Sequence, residues 1–121
     1  MTEIQNSKQY DLEERTFQFA KRVRAFVKRL PKTIANIEDS RQLVNASGSV
    51  GANYIEANEA LSKKDFLMRA KICRKEAKES RYWLRLVDTG EDKELDKERK
   101  WLENEANELT KIFGSIVTKS E

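Results

Sequence analysis

Apolar residues recur along the chain with the 3.6-residue period of an α-helix in four separate stretches. No stretch shows the alternation of a half-buried β-strand, and the joints between stretches are short. Short joints favour antiparallel neighbours. The sequence therefore predicts an all-α protein, an antiparallel up-down-up-down four-helix bundle. We expect one domain over residues 1–121 with an ordered core at about 11–118.

Local signals predict where the helices begin and end. After a frayed N-terminus, Asp11 is the predicted N-cap of the first helix, which Pro31 ends because proline lacks an N–H. The second helix is predicted over residues 37–60. Ser62 caps a third helix that ends near residue 88, where Gly90 can take the left-handed conformation. A fourth helix follows residues 91–92, and residues 119–121 are expected to fray.

Each predicted helix has one inward face. The inward residues are Leu12, Phe19, Ala20, Val23, Phe26, Val27 and Leu30 in the first helix, Leu43, Ser47, Val50, Tyr54, Ala57 and Leu61 in the second, Phe66, Ala70, Cys73, Ala77, Leu84 and Val87 in the third, and Leu95, Leu102, Ala106, Leu109, Phe113, Ile116 and Val117 in the fourth.

The second helix carries two interior glycines, each of which costs about 1 kcal/mol relative to alanine. Because the apolar spacing continues through them, we interpret the segment as helical and expect another backbone to approach closely. A second apolar strip beside the main face consists of Val44, Gly48, Gly51 and Ile55, and it indicates a helix that either lies deep in the bundle or faces a partner subunit. The predicted subunit-interface residues are these four together with Asn53, although an interhelical hydrogen bond is the favoured role for Asn53.

Charge is distributed unevenly, although the net charge is only +3. Residues 36–60 carry a balance of −3 and residues 62–88 a balance of +5. The cations of the third helix form a basic stripe roughly opposite its apolar face, which indicates a surface suited to a polyanion. The predicted nucleic-acid-binding residues are Lys64, Lys71, Arg74, Lys75, Lys78, Arg81, Tyr82 and Arg85.

The sequence offers little catalytic chemistry. It has no histidine, and its single cysteine cannot form a thiolate zinc site within one chain. No phosphate-binding glycine loop is present. Glu76 and Glu79 could hold a metal or act as acid and base, but we favour ion pairing with Arg69 and Lys75. We predict a non-enzyme with no cofactor, no metal and no catalytic residue.

The cellular compartment is predicted from the single cysteine and from the lack of a signal-peptide pattern or a membrane-length apolar run. Cys73 lies on an apolar face and is interpreted as a buried small residue, not a reactive thiol. Residues 1–10 do not resemble a signal peptide, and no apolar run reaches the length of a membrane span. We expect a cytoplasmic protein that does not bind membranes.

Several aromatic residues lie off the inward faces. Tyr82, inside the basic stripe, suits either stacking on a base or covering a subunit contact. Trp83 and Trp101 are interpreted as core or interface anchors, while Phe17 falls off the inward face of its helix. Together with the glycine strip, Phe17 favours oligomerisation.

Three segments carry a recognisable pattern: SVGANYIEA at residues 49–57, KKDF at residues 63–66 and KEAKESRYWLRL at residues 75–86. They resemble a bacterial four-helix-bundle family named for proteins encoded within intervening sequences of 23S ribosomal RNA genes. The first resembles the Ser-Ile-x-Ala-Asn-Ile-x-Glu-Gly type of signature, with Tyr54 intervening after Asn53. The similarity extends over about residues 10–117.

The resemblance implies a homopentamer and kinship with the basic accessory protein of diversity-generating retroelements, which is thought to bind nucleic acid. The resulting hypothesis is binding of RNA or DNA by repeated copies of the basic stripe. The alternative is an interaction scaffold, in which the acidic second helix of one subunit pairs with the basic third helix of another or an unknown protein partner binds. An enzyme based on Glu76 and Glu79 is disfavoured.

Overall fold

The computed structural model describes the backbone of residues 3–121 and the side chains of residues 11–121. It contains four helices: α1 (Glu3–Arg29), α2 (Ile34–Asn58), α3 (Lys63–Leu86) and α4 (Lys93–Ser120). Over the described residues there is no strand, so the predicted all-α class is confirmed. None of these helices is both long enough and apolar enough to cross a lipid bilayer.

Three of the helices have an N-cap residue whose side chain accepts a hydrogen bond from the first turn. The Thr33 hydroxyl accepts the Asn36 N–H at α2, Ser62 accepts the Asp65 N–H at α3, and the Asp92 carboxylate accepts the Leu95 N–H at α4. Each cap satisfies a backbone donor that the first turn leaves without a helical partner. The predicted cap at Ser62 is confirmed. Gly90 has a φ of +70°, as expected for a left-handed joint.

Some predicted boundaries are wrong. Helix α1 begins at Glu3, so the fraying predicted for residues 1–10 is wrong from residue 3 onward, and Asp11 is an interior residue and not an N-cap. Residues 1–2 lie outside the described residues. Helix α2 ends at Asn58, which leaves Leu61 in the joint, 99% exposed and not inward. The apolar period continued past the last helical turn, and period alone cannot mark a helix end. Helix α4 continues to Ser120, beyond the predicted limit.

In each pair of neighbouring helices, residue numbers rise along one helix as those of the contacting residues fall along the other. Each neighbouring pair is therefore antiparallel. The pairs are Arg15–Glu105, Arg22–Glu98 and Arg29–Asp92 between α1 and α4, Glu13–Asn58 and Thr16–Gly51 between α1 and α2, Val50–Cys73 and Asn53–Arg69 between α2 and α3, and Arg74–Gly114 and Arg81–Glu103 between α3 and α4.

The buried core collects the predicted faces of all four helices. Most of the predicted inward residues are buried, and five are only half-buried. The half-buried residues are Leu12, Ala20, Val27, Phe66 and Ile116.

Close backbone approach explains one of the two glycines of α2. A Cβ atom at residue 51 would lie 3.0 Å from the Thr16 Oγ1 and 3.3 Å from its Cβ. Thr16 is fully buried, and its hydroxyl donates to the carbonyl of Leu12 at 2.9 Å. The absence of a side chain at Gly51 therefore allows α1 and α2 to meet at this point.

Asn36 joins the two loops at one end of the bundle. Its side-chain amide donates to the carbonyls of Pro31 and Asp88, and its Oδ1 accepts the Asp88 N–H at 2.9 Å. Asn36 is buried, so these three bonds satisfy a side-chain amide that would otherwise lie in the interior without partners.

Ion pairs hold α1 against α4. Arg15 makes a two-pronged contact with Glu105, and Arg22 does the same with Glu98. The Arg22 guanidinium also lies 3.5 Å from the centre of the Trp101 ring. Trp101 is 44% exposed and is therefore not the core residue that was one of its two predicted roles. Hydrogen bonding to Arg22 lowers the pKa of Glu98.

Candidate nucleic-acid interface

Helix α3 is held in place by small residues on its inner face. Ala70, Cys73, Ala77 and Ser80 are buried, and the Cys73 thiol approaches the carbonyl of Val50 at 3.4 Å. Burial raises the pKa of this thiol to about 12, so the structure agrees with an unreactive, buried cysteine. With this face buried, the opposite side of α3 lies outward.

The outward side carries most of the predicted basic stripe. Lys64, Lys71, Arg74, Lys75 and Lys78 are all exposed. Over residues 11–121, no carboxylate oxygen lies within 4.0 Å of any of their side-chain nitrogens, although seven cations elsewhere on α1, α2 and α4 make such pairs. These five residues, which we call the basic face, are therefore available to an external anion.

The C-terminal part of the stripe differs from the basic face. Arg81 and Arg85 approach Oε1 of Glu103 on α4 at 3.8 and 3.7 Å, and Arg99 approaches Oε2 of the same carboxylate at 3.5 Å. The stripe is free of acids along α3 itself, but α4 supplies one. The Glu103 carboxylate therefore partly compensates the positive charge of Arg81 and Arg85, which the sequence of α3 did not indicate.

Apolar side chains interrupt the same outward side. Met68 is 48%, Tyr82 54% and Leu86 50% exposed. A groove of about 610 Å³ beside the first turns of α3 is lined by three apolar residues and five polar ones: Leu67, Met68 and Ile72, and Ser62, Lys64, Asp65, Lys71 and Lys75. The outward surface thus combines cations with apolar area, which suits either stacked bases or a protein contact.

Tyr82 and Trp83 are neighbouring aromatic residues of α3, one on the outward side and one against the core. The Tyr82 ring packs edge-to-face on Trp83, with the ring centres 5.0 Å apart. Trp83 is half-buried against the core, which confirms its interpretation as a packing residue. Tyr82 remains exposed among the cations, so both of its predicted roles stay open.

Glu76 and Glu79 are not ion-paired as we expected. Over residues 11–121, no lysine or arginine nitrogen lies within 4.0 Å of either carboxylate, and Arg69 instead donates to Asn53 at 2.9 Å. Burial raises the pKa of Glu76, and the nearby Glu79 raises it further. No group of three His, Cys, Asp or Glu side chains within the described part of the chain is arranged to hold a metal ion.

The five predicted interface residues do not share one surface. Gly51 faces α1, and Asn53 faces α3, where its hydrogen bond to Arg69 confirms the interhelical role. Val44 is half-buried, Ile55 is exposed and Gly48 lies beside the Arg24 guanidinium. A subunit interface through this strip stays a prediction.

Two features were missed in the sequence, one within the site and one between α1 and α4. Glu103 of α4 gave no signal, because its approach to α3 depends on how the helices pack. The arginines of α1 did give a signal: Arg15, Arg22 and Arg29 lie seven residues apart, and the acids opposite them are spaced by seven and six residues. Spacing of this kind on two antiparallel helices is typical of a charged seam.

Comparison with known proteins adds relatives but no activity. The sequence matches no functionally curated protein. Its structure is similar to a crystal structure of a protein with unknown function from the S23 ribosomal protein family of Bacteroides thetaiotaomicron, with a TM-score of 0.72 and 30% sequence identity. That similarity covers 87% of this chain and 96% of the other. The family model for the 23S rRNA-intervening sequence protein matches residues 8–115. The chain therefore belongs to the 23S rRNA-intervening sequence protein family.

Proposed function

We propose that this protein binds nucleic acid, RNA or DNA, through the basic face of α3, without catalysing a reaction. The observation that carries the proposal is the absence of any carboxylate partner, within the described residues, for the five exposed cations of that face. Cations of this kind contact phosphates and position a nucleic acid without reading its sequence.

Oligomerisation and location belong to the same proposal. Exposed apolar side chains on several helices, among them Phe17 on α1 and Ile55 on α2, support assembly of several copies. A closed ring, a pentamer by the family resemblance, would repeat the basic face and strengthen weak contacts where one nucleic acid reaches several of them. We place the assembly in the cytoplasm.

The test is a salt titration of binding to a fluorescein-labelled 20-nucleotide RNA and a 20-base-pair DNA duplex, with the oligomer mass measured in the same buffers. Five phosphate contacts from one subunit give a slope of log K against log salt of about −4.5 on the duplex and about −3.5 on the single strand. The absence of binding at low salt would refute the proposal.

A matched pair of charge reversals locates the surface. The variant Lys71→Glu/Lys75→Glu/Lys78→Glu changes the basic face, and Lys21→Glu/Lys28→Glu/Lys32→Glu makes the same change in net charge on α1 and its loop, at exposed residues. We expect the first variant to lose binding and the second to retain most of it. Equal losses would mean that only net charge matters.

The second candidate function is a protein-interaction scaffold, and the apolar groove beside Met68 favours it. The acidic α2 of a neighbouring subunit, or another protein, would then cover the cations. Under this alternative the intact oligomer shows no affinity for either probe, and the triple reversal in α3 changes the oligomer mass.

A further inference from the structure

A second groove lies between α3 and α4. It encloses about 520 Å³ and is lined by Arg74, Lys75, Lys78, Arg81, Asn107 and Thr110. Every ionisable residue of this lining is a cation. Its volume falls within the range of roughly 300–1,000 Å³ found for ligand sites, and its charge suits a polyanion.

Two contacts place the arginines inside this groove. Gly114 has no side chain, and a Cβ built there would lie 3.7 Å from Cδ of Arg74, so this arginine lies along α4. Arg81 is drawn toward α4 by Glu103 at 3.8 Å, and its Nε is buried without a hydrogen-bond partner among the described residues. Seven residues separate the two arginines, about 10.5 Å along the helix axis.

Helix α4 contributes a neutral donor. The Thr110 hydroxyl donates to the carbonyl of Ala106 at 2.8 Å and is therefore occupied. Asn107 is half-buried, and within residues 11–121 its side-chain amide makes no hydrogen bond. A carboxylate at this position would have neutralised the cations opposite, whereas an amide can donate to an anion beside them.

We propose that the phosphodiester backbone of the bound nucleic acid lies in this α3–α4 groove, with Asn107 as a hydrogen-bond donor to a phosphate oxygen. The proposal rests on the proposed function and extends its site from one helix to two. The distance between Arg74 and Arg81 spans about three nucleotides at a rise of 3.4 Å per nucleotide. The groove beside Met68 is largely apolar and is the poorer place for phosphates.

Two opposite substitutions at Asn107 test the groove. Asn107→Asp cancels about one positive charge, so the salt slope should become shallower by about 0.7–0.9 and the affinity at 0.1 M salt should fall about sixfold. Asn107→Lys should make the slope steeper and raise the affinity by similar factors. Binding is measured by fluorescence anisotropy with the 20-nucleotide RNA and the 20-base-pair duplex.

The matched controls are Asn45→Asp and Asn45→Lys. Asn45 is exposed on α2, and no residue of α2 lines the groove, so the same residue type receives the same charge change away from it. Opposite effects at residue 107 with little effect at residue 45 would support the groove. Equal effects at the two residues would overturn it while leaving the proposed function intact. Failure of the unmodified protein to bind either probe would overturn both. Circular dichroism of each variant verifies that it is folded.

Discussion

The same substitution at two glycines of α2 should change stability in opposite directions. In the interior of a helix, replacing glycine by alanine stabilises the fold by about 0.8–1.0 kcal/mol when the methyl group fits. Gly48 and Gly51 share one helix, so this gain is common to both. The difference between the two variants therefore reports what each methyl group contacts.

At Gly48 the new methyl group meets only the end of a long side chain. The nearest atom is Nη2 of Arg24 at 3.1 Å, and Arg24 is exposed. Because this guanidinium can move into solvent, Gly48→Ala should raise the free energy of unfolding by about 0.5–1 kcal/mol.

At Gly51 the methyl group meets a residue that cannot move easily. Thr16 is fully buried, and its hydroxyl is held by the Leu12 carbonyl. Overpacking of this kind costs about 1–3 kcal/mol. After the helical gain is subtracted, Gly51→Ala should lower the free energy of unfolding by about 1 kcal/mol, which is about 4 °C in Tm for a chain of this size.

Urea unfolding of both variants at one protein concentration measures the difference, which we expect to be about 2 kcal/mol. In a Thr16→Ala background the nearest atom is removed, so Gly51→Ala should become less destabilising by about 1 kcal/mol. Oligomer mass is measured in parallel, because a methyl group in a subunit contact would alter association. Equal stability of Gly51→Ala and Gly48→Ala, or an unchanged effect of Gly51→Ala in the Thr16→Ala background, would refute a tight contact between residues 51 and 16.

Three further predictions concern other parts of the fold. Asn36→Ala removes three hydrogen bonds between the loops and should lower the free energy of unfolding by about 2–4 kcal/mol in urea unfolding. A loss below about 1 kcal/mol would contradict the role of Asn36 in joining the two loops. The pKa of Glu98 is lowered in the folded state, so its contribution to stability is complete above about pH 5 and is lost as the pH falls through 4.5 and below. Thermal melts from pH 6 to pH 3 should therefore decline less steeply in Glu98→Gln, and identical profiles would refute the pairing with Arg22. Cys73 should resist alkylation by iodoacetamide at pH 8 in the native protein and react in 6 M urea, whereas rapid native labelling would show that the thiol is accessible.

The family signature and the geometry support different parts of the functional argument. Membership in the 23S rRNA-intervening sequence protein family identifies the fold but leaves the activity open. The geometry identifies which cations of α3 lack partners within the described chain and adds Asn107, which carries no motif. Asn107 could not be singled out in the sequence because its importance depends on the helix that packs beside it.

The four helices, their inward faces and the cap at Ser62 could be predicted from the sequence, because helical period and capping are local properties that neighbouring residues encode. The contact between Gly51 and Thr16, the partial neutralisation of Arg81 and Arg85 by Glu103, and the basic groove between α3 and α4 became visible in the packed helices alone. These contacts join residues about 20 to 40 positions apart. Their geometry follows from the packing of helix against helix, which depends on the shapes of both surfaces and cannot be read from either one alone.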